Sequence, residues 1–175
     1  DINYISWGGL LSQTRLGSRP VLPGFQMADV AGGGYMTVIA CLAALWYREK
    51  SGSGQSVDVS MLDGVLPLLT LQLARFWGQG AEAAQVNELD GTVPCYGLYR
   101  SADDKYVALG ALEPKFWINF CKAVGRDDWV SGSLATGEEG ARVLGEMTAL
   151  FLERTREEWV KLAEQSGIPM PIVGR

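Results

Sequence analysis

The chain has 175 residues, 47% apolar and 20% charged, which suits one globular domain, or one and part of another, and excludes wholesale disorder. Its 15 Lys and Arg stand against 20 Asp and Glu, and a net charge of -5 argues against a general nucleic-acid binder, which needs a basic stripe to meet phosphate. It contains no histidine, so neither a histidine metal site nor a Ser-His or Cys-His couple can be built from this chain alone.

Both ends, Asp1-Ile-Asn-Tyr-Ile-Ser6 and Pro171-Ile-Val-Gly-Arg175, read as interior to a longer protein. Residues 17–24 are turn-forming and predict a loop. A helix follows over about Asp29–Lys50, with Asp29 as its N-cap and Arg48 and Lys50 suited to the negative end of its dipole. Its stretch Val30–Tyr47 carries no charge over 18 residues, the lower edge for a membrane span. Gly32, Gly33, Gly34 and Thr37 make it weakly lipophilic, so the expectation is a buried helix of a soluble protein and no membrane span. Ser51-Gly-Ser-Gly54 is a turn. Gln55–Ser60 puts Val57 and Val59 on one face and predicts a short strand. Met61–Trp77 is a second apolar helix, kinked or delayed by Pro67.

Residues 81–91 read as a linker. Beyond it, Cys95–Arg100 and Lys105–Leu112 predict a hairpin around Ser101-Ala-Asp-Asp104. Pro114 opens a helix to about Val124, and another runs over about Glu138–Glu153. Thr155-Arg-Glu-Glu158 is a capping box for a last helix that stops at Gly167. The fold class is mixed α/β in two parts, 1–80 and 92–175. Cys41, Cys95 and Cys121 are far apart and form no C-x-x-C, which predicts reduced, structural thiols in a cytoplasmic protein.

Asp29 is the first candidate for chemistry. A carboxylate at a helix start, followed by Gly32, Gly33 and Gly34, permits close approach of a ligand to backbone N–H groups that stabilise a developing oxyanion. The alternative is an N-cap whose glycines pack against a neighbouring helix. A helix N-terminus favours the charged carboxylate, which suits a nucleophile; a general base would need desolvation to act against it. Glu113 is the second candidate, either a helix cap or a carboxylate held at a strand-to-helix corner to orient another side chain. Tyr96 and Tyr99 lie three apart in a strand and face opposite sides, one toward a pocket and one toward a core. Phe116 and Trp117 read as core, and Arg154–Lys161 as a solvated helix face. The run Gly54-Gln-Ser-Val-Asp58 lacks the lysine of a phosphate loop and precedes a strand signal, so it is taken as a turn.

Asp1-Ile-Asn-Tyr4, Gln26-Met-Ala-Asp-Val-Ala-Gly-Gly-Gly34, Leu42-Ala-Ala-Leu-Trp-Tyr-Arg48 and Gly54-Gln-Ser-Val-Asp-Val-Ser-Met-Leu-Asp-Gly64 together resemble the family III CoA-transferases. Asp90-Gly-Thr-Val-Pro-Cys-Tyr-Gly-Leu-Tyr99 and Tyr106-Val-Ala-Leu-Gly-Ala-Leu-Glu-Pro-Lys-Phe116 resemble the α-methylacyl-CoA racemase branch of that superfamily. The resemblance implies a large and a small domain and an interlocked homodimer. This chain would span the end of the large domain's first part, a linker and much of the small domain. It implies an acyl-CoA thioester as substrate, with coenzyme A part of that substrate; the sequence itself gives no sign of a bound cofactor or metal. Asp29 falls on the family's catalytic aspartate, which attacks the thioester in transferases and acts as one of two acid/base groups in racemases. Glu113 falls on the carboxylate that orients the racemase histidine, and Tyr96 near the acyl pocket; Gly32 and Gly33 are the backbone donors expected at the substrate. The racemase histidine would be the residue just before Asp1, outside this chain. Three readings therefore stand at this stage: a 2-methylacyl-CoA racemase, a CoA transferase working through an aspartyl-CoA thioester, and an inactive assembly piece.

Overall fold

Apolar stretches punctuated by glycine and proline organise the first part of the chain, and regular helix caps organise the second. The computed structural model describes residues 1–80 and 88–174, and the chain divides into two compact units, Asp1–Gln85 and Val86–Arg175. The structure mixes helices with antiparallel strands. Of the expected linker 81–91, residues 81–87 lie outside the described residues.

The first unit opens with α1 (Ile2–Trp7), a 3₁₀ turn (Leu10–Gln13) and a short hairpin of β1 (Arg15–Leu16) and β2 (Arg19–Pro20). A continuous helix then spans Ala28–Ser51. Its first eight residues, Ala28–Tyr35, are wound in wide π turns, and α2 (Met36–Ser51) follows. α2 ends at Gly52, whose φ of 73° supplies the left-handed cap that glycine adopts most easily. Pro67, with no N–H to give, splits the next helix into α3 (Met61–Val65), a 3₁₀ turn (Leu66–Leu69) and α4 (Thr70–Gln79). Ile5, Leu10, Ala28, Val65 and Leu69 form a small core.

Three expectations are corrected here. Gln55–Ser60 forms no strand: among the described residues none pairs with it, and Val57 is exposed. Ala28–Ser51 is long and apolar enough to cross a membrane by those two measures, but it is not the buried helix expected. No residue of α2 is buried, because the unit's core gathers at Ala28 and α2 runs on past it. Cys41 is accordingly exposed, not a core thiol; Cys95 and Cys121 are buried.

In the second unit, β3 (Tyr96–Arg100) pairs antiparallel with β4 (Tyr106–Gly110), Tyr96 opposite Gly110 and Arg100 opposite Tyr106. The segment at 169–173 lies along the far edge of β4, through Gly110 N–H to Pro169 O, Ala108 N–H to Pro171 O and Val173 N–H to Tyr106 O. Next come α5 (Pro114–Val124), a 3₁₀ turn (Asp127–Gly132), α6 (Gly137–Phe151) and α7 (Arg156–Ser166). Thr155 and Glu158 make the reciprocal capping box at the start of α7.

The core of this unit is aromatic. Tyr99 stacks on Phe151 at 4.3 Å between centroids, and Phe151 meets Trp159 at 4.6 Å. Each buried indole N–H is satisfied: Trp117 donates to Trp129 O, Trp129 to Glu146 and Trp159 to Phe151 O. Tyr99 donates to Pro94 O at 2.7 Å, and burial pushes its hydroxyl pKa up. Burial raises both buried thiols as well, Cys121 to about 11 with help from Asp127. By contrast Trp7, Trp46 and Trp77, all in the first unit, are exposed.

Candidate functional site

An α-helix leaves its first N–H groups without partners, and Met27, which precedes the π-turned segment, offers no side-chain acceptor. The cap comes from far away in sequence. The Asp1 carboxylate accepts from Ala28 N–H at 2.5 Å and from Asp29 N–H at 3.1 Å through the same oxygen, Oδ1. Asp29 is therefore not the N-cap that its position suggests. It sits inside the first turn, and its own side chain is free to point elsewhere.

That side chain is 47% exposed, and its Oδ1 lies 3.1 Å from the main-chain nitrogen of Asp1. Asp1 is itself held by α1, its carbonyl accepting from Tyr4 N–H at 3.0 Å and Ile5 N–H at 3.1 Å. Two segments thus converge at one half-open carboxylate. Such a group can attack an electrophile, or exchange a proton with a carbon acid placed beside it.

Gly32 is buried where the π-turned segment crosses α3. A Cβ there would stand 2.7 Å from the Met61 carbonyl oxygen, and one on Gly64 would overlap the Gly32 carbonyl. The close approach that requires glycine is therefore helix against helix. Gly33 is half-exposed and faces the Met61 side chain, and Gly34 is exposed.

Glu113 occupies the N-cap position of α5 with extended backbone, but its side chain makes no capping bond. Among the described residues its carbonyl alone is engaged, by Phe116 and Trp117 N–H. The carboxylate is exposed, at the corner that follows β4. Tyr99 turns into the core, while Tyr96, on the other face of the strand, is half-buried at the edge of that core. Tyr96, Leu98, Ala108, Gly110, Pro169 and Pro171 line an apolar cleft of about 640 Å3 on the outer face of the hairpin. Asp29, Gly32 and Gly33 thus belong to the first unit, and Glu113 and Tyr96 to the second. Among the described residues no three His, Cys, Asp or Glu side chains gather as a metal site.

The Asp1 side chain is the residue that sequence reasoning passed over. Asp1 stood in a motif, but nothing local signals that it caps a helix 27 residues on.

The chain matches the family model "CoA-transferase family III" over residues 1–174. It is 33% identical to human α-methylacyl-CoA racemase over 168 residues and 32% identical to the mouse enzyme over 164, covering 93% of this chain and 43% of each relative. Matches at lower identity carry CoA-transferase names. Among solved structures, Rv3272 from Mycobacterium tuberculosis superposes with a TM-score of 0.74 at 25% identity, over 100% of this chain and 46% of that one. The chain thus spans under half the length of these relatives, and over that span it belongs to CoA-transferase family III.

Proposed function

We propose that the protein containing this chain is a 2-methylacyl-CoA racemase, which removes the α-proton of the thioester and returns one to the opposite face. The observation that carries this reading is the half-open Asp29 carboxylate on a helix start that the Asp1 side chain holds. A histidine attached ahead of Asp1, as the resemblance implies, would extend the segment that meets this helix start. Two acid/base groups would then flank one carbon. One takes the proton and leaves an enolate; the other delivers a proton from the far side and regenerates the thioester. Glu113 is the carboxylate proposed to orient that histidine. Tyr96 is proposed to meet the acyl group, since it already faces an apolar cleft. The identities of 32% and 33% to two racemases support the same assignment. The reading places the complete protein in the cytoplasm as a homodimer, with coenzyme A entering only as part of the substrate.

The test is hydrogen–deuterium exchange at the α-carbon of a 2-methylacyl-CoA, catalysed by the complete protein in deuterated water. Asp29→Asn is expected to lower the exchange rate by about a hundredfold or more, the scale of a lost general acid/base. Unchanged exchange in that variant overturns the assignment of Asp29.

A second reading, CoA transfer between carboxylic acids, is favoured by the exposure of Asp29, which suits a nucleophile, and by the transferase names among relatives. Here Asp29 attacks the thioester carbonyl, expelling the CoA thiolate and leaving a mixed anhydride. The thiolate then attacks the aspartyl carbonyl of that anhydride, releasing the first carboxylate and leaving an aspartyl-CoA thioester. Hydroxylamine added with acyl-CoA converts Asp29 to a hydroxamate in a transferase and leaves it unmodified in a racemase.

A further inference from the structure

We infer that Asp1 is the positioning residue for Asp29, acting through the helix start on which Asp29 sits; the inference rests on the catalytic reading of Asp29 given above. Asp1 grips that segment twice. Its carboxylate receives both the Ala28 and the Asp29 N–H groups through one oxygen. The next donor, Val30 N–H, is taken by Gln26 O at 3.3 Å. The first N–H groups of the π-turned segment are thus engaged, and Asp1 holds the two at and next to Asp29.

The grip is rigid at its other end. Asp1 begins α1, its carbonyl is held by Tyr4 and Ile5, and Ile5 is buried in the same small core as Ala28 and Val65. The Asp29 carboxylate is therefore set by a chain of fixed groups running from the core through Asp1 to the helix start. Met27, the residue just before the segment, makes no side-chain capping bond of its own. The carboxylate of Asp1 touches no substrate in this account; it fixes the direction in which Asp29 presents its oxygens.

The test is made in the complete protein, with kcat, KM and melting temperature measured for α-proton exchange. Asp1→Ala is expected to lower kcat by about a hundredfold with KM within about threefold, the cost of misplacing a reacting group by about 1 Å. Asp1→Asn keeps an oxygen acceptor for the same two N–H groups and is expected to recover at least about a tenth of the original kcat. If Asp1→Ala does not fold, Asp1→Glu decides: it keeps charge and acceptor but displaces the oxygen by one methylene, and kcat is expected to fall at least about tenfold at unchanged melting temperature. A kcat within about twofold of the original in Asp1→Ala, or in Asp1→Glu where that variant decides, overturns the inference. If Asp29→Asn abolishes exchange in the same series, the assignment of Asp29 survives that loss. If Asp29→Asn leaves exchange intact, both fall together.

Discussion

With Asp103, Glu146 is one of the two most heavily engaged carboxylates among the described residues of the second unit. It accepts from the Arg126 guanidinium, from Trp129 Nε1 at 3.0 Å and from Arg142 at 2.7 Å. Arg126 is the largest influence, and together these donors hold Glu146 down to about 2 from an ordinary value of 4.5. Because the folded value is the lower one, its stabilisation is complete above pH 4.5 and is lost as pH falls toward 2. The melting temperature of the chain is therefore expected to drop across that window. Glu146→Gln should flatten the drop without removing it, since Asp103, Asp128 and Glu158 are also held low. Equal slopes in the two proteins would take Glu146 out of the explanation.

At the scale of elements, the crossing of the π-turned segment over α3 leaves no room for a side chain, with Gly32 and Gly64 back to back. Gly64→Ala is expected to destabilise the unit by about 1–3 kcal/mol, the range for overpacking a closed contact. Gly78 in α4 is the control. A Cβ there meets nothing within 4 Å, so Gly78→Ala is expected to be neutral or to stabilise slightly through helix propensity. Urea denaturation of the two variants separates the cases, and matching midpoints would remove the crossing as a constraint. The elements that were legible beforehand are those with local punctuation. Pro114 and Gly125 bound α5, Pro67 breaks its helix, and Thr155, Glu158 and Gly167 bound α7. What local pattern missed was set at a distance. The alternation Val57–Val59 carries a strand signal, but a strand needs a neighbour, and none of the described residues of this chain pairs with it. Asp29 has the residue type of a cap, yet a carboxylate 28 residues earlier took that place. At the candidate site the residue type of Asp29 was readable and its surroundings were not, because they depend on α1 folding back to the helix start.

At the scale of the whole molecule, Val38, Ile39, Leu42, Leu45 and Trp46 leave a broad apolar surface on α2 open to water. Exposed apolar surface of that extent drives association. The chain at micromolar concentration is expected to sediment faster than a monomer, and the double substitution Leu42→Glu with Trp46→Glu should return it to monomer. A monomer before any substitution would show that this face tolerates water on its own.

The six tryptophans divide between the two units without overlap. Trp7, Trp46 and Trp77 are exposed in the first, and Trp117, Trp129 and Trp159 are sealed in the second. Indole emission shifts to the red in water and to the blue in an apolar cage. One spectrum therefore carries two separable reporters: a red component open to iodide quenching that follows the first unit, and a blue, shielded component that follows the second. Each half of the chain can be watched melting without a label.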